Sequence, residues 1–388
     1  MSVRRRFGLG ALAERDFRLL FTATAITTIG DRLAVIALAF AVLDLGGATD
    51  LGIVLAARQG VNALVFLAGG VISDRVQRNL VLVGASLVQG AAQAVTAALV
   101  LSGHGSVLWI AVLQAVYGVG DGLVVPAETG LVPQTVSPAR LQQANVLQGL
   151  TRNVTRVLGP IVGAAIVVAA SPGAALAADA VSFVLCALIL LRIRIAPRVG
   201  GPERETFWRE LRAGWREFTA RTWLWSAVLL YGLGNFTWGA WSVLGPVVAK
   251  HDLGGAGPWG AILAAAGVGS VAGGVVALQF VALAAAAPVA VIAAASFVAG
   301  VGLAVHLALW FTVFQQQVPE HAQSRVSSYD ALGSFVLLPI GAAIVGPVAA
   351  AVGVHATLWG AGAFNLACCL GVLALPSVWG IREAPAAV

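Results

Sequence analysis

The chain has 388 residues, of which 59% are hydrophobic and only 10% charged, and its mean hydropathy is +0.91. A soluble protein of this size needs a polar surface that these residues cannot supply, so soluble classes are excluded and lipid is the expected solvent. The formal charge of +6 does not signal nucleic acid, because most of the arginines sit in short segments between apolar runs, as in loops beside anionic lipid.

Met1 to Gly10 is basic, and the apolar run after it is too long for a signal peptide, so this segment is expected to be retained. Crossing the hydrocarbon takes about 20 apolar residues. Such runs occupy 17–43, 51–72, 80–101, 107–130, 144–170 and 173–192, then 223–249, 257–316, 329–351 and 355–378. Arg4, Arg5, Arg6, Arg15 and Arg18 precede the first run, Arg75 and Arg78 follow the second, and Arg140 follows the fourth. The alternate loops hold no lysine or arginine. By the positive-inside rule the amino terminus is cytoplasmic, in a multi-pass protein of the cell inner (plasma) membrane.

Residues 193–222 are charged and separate two halves, so the expected domains are 1–192, a cytoplasmic linker 193–222, and 223–388. Within the linker, Glu203 to Thr219 alternates Glu and Arg around Phe207, Trp208, Leu211, Trp215 and Phe218. That spacing predicts an amphipathic helix lying on the membrane surface. From Leu253 to Pro319 there is no Asp, Glu, Lys or Arg. Three short, tightly linked helices there make twelve in all and keep Arg325 and Arg382 on the cytoplasmic side; two longer ones make eleven.

The halves echo one another. Leu158-Gly159-Pro160-Ile161-Val162-Gly163-Ala164-Ala165-Ile166 resembles Leu338-Pro339-Ile340-Gly341-Ala342-Ala343-Ile344, and Gly69-Gly70-Val71-Ile72 resembles Gly273-Gly274-Val275-Val276. Each pair is six helices apart in a twelve-helix count, as in transporters built from repeats. The expected fold is therefore all-α integral membrane, two pseudo-symmetric six-helix bundles.

The stretch Gly70-Val71-Ile72-Ser73-Asp74-Arg75-Val76-Gln77-Arg78 resembles the loop signature of the major facilitator superfamily. Gly159-Pro160 with Gly163 resembles the antiporter signature of its exporting members. Phe17-Arg18-Leu19-Leu20-Phe21, Gly30-Asp31 and Asp179-Ala180-Val181-Ser182-Phe183 are similar to the branch containing the enterobactin exporter and macrolide-efflux proteins. The resemblance covers essentially the whole chain. It implies a secondary transporter working by alternating access, exporting a hydrophobic or amphipathic small molecule such as a drug, siderophore or secondary metabolite. It also implies that Gly70, Asp74, Arg75, Arg78 and Glu128 gate rather than bind. Asp74 can cap the third helix, and Glu128 can latch to Arg75 or Arg78.

Two departures stand out. Gln114 occupies the place where the superfamily often has an arginine implicated in proton coupling. After Gly273-Gly274 the expected repeat of the Asp-Arg loop is absent, and the second half is short near its third helix. Both leave open a degenerate membrane protein that binds a ligand or partner without transport.

Ionisable groups inside spans cost roughly 2.5–3.5 kcal/mol each on insertion scales and point to function. Asp31, Arg32, Arg58, Asp121, Glu128, Arg152, Arg156 and Asp179 qualify, all in the first half, against His306 and Asp330 in the second. At about 1.5 Å per residue, Asp121 shares a depth with Arg152, and Asp31 with Arg156. Pairs Asp121–Arg152 and Asp31–Arg156 are expected. They are either structural or a proton-coupling device, in which a buried carboxylate gains and loses an arginine partner. Asn235, Trp238 and Trp241 fall on one face of the seventh helix and, with Arg58, are candidates for a substrate cavity; membrane anchoring is the other reading of the tryptophans. Cys186, Cys368 and Cys369 lie in apolar stretches without ligand spacing, and no Gly-rich nucleotide loop or catalytic constellation is present. No cofactor, no metal and no enzymatic activity are expected; the partners are a small-molecule substrate, protons and membrane lipid.

Overall fold

The computed structural model describes residues 10–195, 207–269, 277–318 and 320–374. Every regular element among them is a helix, the outcome lipid imposes on a chain whose backbone must satisfy its own hydrogen bonds. Two units form: residues 1–45 with 57–197, and residues 46–56 with 198–388.

The first unit holds α1 (Arg15–Leu45), most of α2 (Ala48–Arg75), α3 (Arg78–Leu101), α4 (Val107–Thr135), α5 (Leu141–Ala169) and α6 (Pro172–Leu190). Helix α1 packs on α5 and α6, and α3 on α4 and α6. Small residues permit the close approaches. Gly163 of α5 lies on the Leu33 backbone and Gly159 on Arg32, while Gly118 of α4 lies on the Arg58 carbonyl. Pro160 is inside α5, which nevertheless runs unbroken. Its predicted helical segment and its glycine face are as the sequence pattern suggests.

One rim of this unit is clasped by polar bonds. Glu14 accepts from the Ser137 backbone N–H at 2.8 Å and from its hydroxyl at 2.6 Å, and Arg140 approaches at 3.5 Å. Arg140 also donates to the Gly10 carbonyl, and the Ala11 N–H to Gln143. The Ser137 hydroxyl, opposed by desolvation and aided by the Ser137 N–H and Arg140, holds the Glu14 carboxyl below its ordinary 4.5.

The second unit contains α7 (Phe207–Thr219), α8 (Thr222–Phe236), α9 (Trp238–Asp252), α10 (Ala256–Gly269), α11 (Ala277–Ala284), α12 (Val289–Gln317), α13 (Glu320–Phe335), α14 (Leu338–Val352) and α15 (Val354–Leu373). The linker helix is α7; Glu203 to Thr206 lie outside the described residues. Its Trp215 and Phe218 meet Tyr329 of α13 with ring centroids 5.4 and 5.9 Å away. Unlike the first unit, this one is built from broken helices. At the α8–α9 break, Asn365 of α15 donates to the Gly234 carbonyl and to the Thr237 hydroxyl, satisfying groups that a helix end leaves open.

The uncharged run resolves into three helices, α10, α11 and α12. Trp241 of α9 meets both Trp259 of α10, at 5.1 Å, and Phe280 of α11, at 6.0 Å. His355 Nδ1, where α15 begins, is 2.8 Å from the Ala284 carbonyl, where α11 ends. At the far end of α12, Trp310 meets Trp223 at the start of α8. Helix α10 thus starts just after α9 ends, and α11 ends where α15 begins. Helix α12 then returns to the side where α8 starts.

Packing in the second unit parallels the first: α15 on α8, α14 on α9, α11 on α12 and on α15. In this scheme α11 stands where α3 does. Gly341 of α14 lies on the Phe236 carbonyl as Gly163 lies on Leu33, so the echoed segments do the same job. Gly273 and Gly274 lie outside the described residues. Among the described residues, six stretches are long and apolar enough to cross a membrane, five in the first unit and Tyr329–Val352 in the second.

Candidate functional site

The site begins with a stripe on α1. Thr24, Thr27, Thr28 and Asp31 fall at helical spacing on one face. The threonine hydroxyls donate to the preceding turn of their own helix, Thr24 to Leu20 at 3.0 Å, Thr27 to Thr24 at 3.2 Å and Thr28 to Thr24 at 2.6 Å. Asp31 accepts from the hydroxyl of Tyr117 on α4. Tyr117 is fully buried and edges against Phe183 of α6 at 5.7 Å and 79°.

Arg58 enters from α2. Its guanidinium carbon lies 4.0 Å above the centre of the Tyr117 ring, and its Nη2 is 3.7 Å from Asp121 one turn along α4. A cation over an aromatic face in a dry site is worth about 2 kcal/mol. The tyrosine therefore joins two carboxylates to one arginine: its hydroxyl serves Asp31 and its ring serves Arg58.

Behind this cluster, Asp179 of α6 is fully buried. Gln93 donates to it at 2.8 Å, Ser182 at 3.4 Å, and Gln114 donates to Gln93 at 3.1 Å. Gly30 of α1 is bare of a side chain where Asp179 and Ser182 lie closest. Gln114, which takes the place of an arginine, thus supports Asp179 through Gln93. A cavity of about 70 Å³ adjoins the cluster, with Asp31, Asp121, Glu128 and Gln89 among its lining residues.

These features set a cluster of ionisable side chains beside a cavity inside an apolar bundle, and sequence comparison says which bundle. A family model described as transmembrane secretion effector, of the major facilitator superfamily, matches residues 7–283. The chain belongs to that family. Solved structures agree in fold. A bacterial homologue of the human lysosomal transporter Spinster, inward-facing and occupied, is 13% identical with TM-score 0.76, covering 98% of this chain and 100% of that one. A POT family transporter in complex with a thioalcohol-conjugated peptide is 12% identical with TM-score 0.69, covering 92% and 95%. The nucleoside transporter NupG is 11% identical with TM-score 0.67, covering 94% and 99%. No curated protein matches the sequence. The molecule is a multi-pass membrane transporter of the major facilitator type.

Within this transporter, Asp31, Asp121 and Arg58 come together, but two expected pairs do not form. Asp121 is paired with Arg58 rather than Arg152. Arg152 lies 3.9 Å from Glu128, and Asp31 is bonded to Tyr117 rather than Arg156. Arg156 lies beside Arg32 and Arg152. Residue counting along an axis does not fix the direction a side chain takes around its helix.

At the expected latch, Glu128 lies 3.9 Å from Arg152 and Arg78 donates to the Gly130 carbonyl, while the Arg75 arm of that expectation falls outside the described residues. Helix α2 runs through Arg75, and α3 begins after Gln77. The side chains of Gly70, Asp74 and Arg75 lie outside the described residues, as do those of His306 and Arg325. In the second unit, Asn235 donates to the Ser334 carbonyl at 2.9 Å. Trp241 is 2% exposed and stacked among Trp238, Trp259 and Phe280; Trp238 is exposed. Tyr117 and Gln93 escaped sequence analysis. The available signal was Tyr117 one helical turn before Asp121.

Proposed function

We propose that the protein is a proton-coupled exporter of a hydrophobic or amphipathic small molecule, working by alternating access. The observation that carries this reading is the Asp31–Tyr117–Arg58–Asp121 cluster beside a cavity inside the bundle. A carboxylate that exchanges its tyrosine or arginine partner between two conformations has a reason to bind a proton in one and release it in the other. Asp31 is the first such group and Asp121 the second; Arg152 and Arg156 tune the charge around them. Gly159, Pro160 and Gly163 let α5 slide on α1, and Arg78 with Glu128 steadies the gating end. The branch resemblance to enterobactin and macrolide exporters supports the outward direction.

In this reading the amino terminus is cytoplasmic in the inner membrane, and α1–α6 form the first bundle (1–192). The linker 193–222 lies on the cytoplasmic surface, where α7 is. The second bundle (223–388) completes twelve helices, with α10 and α11 as the eighth and ninth. An even count keeps both termini cytoplasmic.

The test is proteoliposomes carrying an internal pH dye, challenged with lipophilic compounds. Wild type moves protons when substrate is added, and Asp31→Asn does not. An equal response in the variant moves coupling to Asp121. A folded wild type that moves none sinks the reading. It favours instead a binding protein without transport, for which the missing Asp-Arg loop after Gly273-Gly274 is the specific observation.

A further inference from the structure

Three guanidiniums gather in the first unit where α1 crosses α5. Arg152 and Arg156 are one turn apart on α5, and Arg32 of α1 lies beside Arg156. Gly159, three residues beyond Arg156, fixes the crossing, because its bare Cα lies on the Arg32 side chain. Like charges at this spacing repel, and an ionised group inside a span is costly and points to function. Glu128 of α4 relieves the group only in part. It stands 3.9 Å from Arg152, beyond hydrogen-bond distance, and that arginine side chain is still 54% exposed.

Two unpartnered donors add an independent observation. Arg32 Nε is buried and has no hydrogen-bond partner, while its neighbour Asp31 is engaged with Tyr117. Gln148 stands one turn before Arg152 on the same face of α5. It is 6% exposed, and its Nε2 has no partner either. Buried donors left open in this way are rare and costly. Guanidinium groups only donate, so what this corner lacks is an acceptor, and its charge calls for an anionic one. None of these four residues lines the cavity of Asp31, Asp121 and Glu128. The basic corner and the acidic cavity are therefore separate.

We infer that Arg32, Arg152 and Arg156 bind the carboxylate head of an amphipathic acid, and that this acid is the exported substrate. The inference rests on the exporter reading and narrows its substrate class. A guanidinium presents a planar fork that takes both oxygens of a carboxylate at once. Arg152 and Arg156 are about 6 Å apart along α5, so one head lies within reach of both long side chains. Arg32 Nε faces the same group from α1 and gains the acceptor it lacks. Glu128 competes with the head for Arg152, and its long contact makes it a weak competitor.

The experiment is calorimetric titration of the full-length protein in phosphatidylcholine nanodiscs, with no gradient present and empty nanodiscs as the blank. The probes are decanoate, 1-decanol and decylammonium, at equal chain length. The expected result is saturable binding of decanoate about tenfold tighter than 1-decanol, with decylammonium weakest. Arg32→Gln and Arg156→Gln should each weaken decanoate about tenfold. Glu128→Gln should tighten it about threefold by removing the competitor, a gain that damaged packing does not produce. Equal binding of acid and alcohol, or tighter binding of the ammonium, overturns the proposal without any variant. So does weaker decanoate binding in a folded Glu128→Gln. If replacing one third of the lipid by phosphatidylglycerol abolishes the saturable signal, the corner holds a lipid headgroup and the substrate assignment fails. Binding is read without transport, so the two readings fail separately. Decanoate bound by a protein that moves no protons counts against the exporter reading alone.

Discussion

The two units share a packing scheme and differ in what fills it. The first has continuous helices around ionisable side chains: Asp31, Arg58, Asp121, Asp179, with Glu128 and Arg152 nearer one end. The second has helices broken at Thr237 and near Val336, around rings and amides: Trp241 among Trp238, Trp259 and Phe280, and Asn365 over Gly234. Its described core keeps one carboxylate, Asp330, held by the Trp310 indole at 3.0 Å and by Ser334. A duplicated scaffold thus divides labour. Charge chemistry sits where unbroken helices can hold it, and neutral aromatic packing sits where they are interrupted.

The largest effect that tests this division is expected at Arg58. Arg58→Ala leaves Asp121 without its guanidinium and the Tyr117 ring without its cation, a loss of about 3 kcal/mol, the low end for breaking a buried pair because this one is partly exposed. Thermal unfolding in detergent should show it, with proton movement lost. Trp241→Ala is expected to cost a similar amount, about 3–5 kcal/mol for an aromatic removed from a packed site. Proton movement per folded molecule should survive. Loss of coupling in Trp241→Ala would erase the contrast between the units.

A smaller effect sharpens the other side of the comparison, the common scaffold. Gly163→Val and Gly341→Val push side chains into the Leu33 and Phe236 backbones, and overpacking of this kind costs about 1–3 kcal/mol. The two variants should unfold at similarly reduced temperatures. A normal Gly341→Val beside a crippled Gly163→Val would show that the echoed segments are not equivalent.

The smallest is at Glu14. Its carboxyl is held below 4.5 in the folded protein, so the stabilisation is fully present above that pH. It is lost as pH falls through the lower folded value. Glu14→Gln should lower the melting temperature slightly at neutral pH and not at all in strong acid. A pH-independent difference would remove the Ser137 clasp from the account.

Much of this was legible in the residues because lipid writes long, simple signals. Apolar runs located the helices, alternating Glu and Arg located α7, and the placing of Asp and Arg announced which half is charged. Pairing was less legible. Counting residues along the helices pairs Asp121 with Arg152, but side-chain directions around the axes depend on neighbours such as Gly118, whose lack of a side chain lets Arg58 close on α4. Helix breaks were not legible either. Pro126, Pro133, Pro160 and Pro246 all sit inside unbroken helices, whereas the α8–α9 break falls at Thr237, where no proline occurs. It depends on Asn365, which is 131 positions away in sequence from the Gly234 carbonyl it serves. A local pattern has no access to such a partner. Tyr117 was hidden for a related reason: one ring in an apolar run is unremarkable until Asp31 and Arg58 are seen on its two polar aspects.

The central claim is that coupling belongs to the first unit, and one paired measurement tests it most directly. Substrate-driven proton movement would be followed in proteoliposomes of wild type, Asp31→Asn and Asp330→Asn, each checked for folding. The account predicts that Asp31→Asn abolishes the signal and Asp330→Asn retains it. The reverse pattern, coupling kept without Asp31 and lost without Asp330, would contradict it.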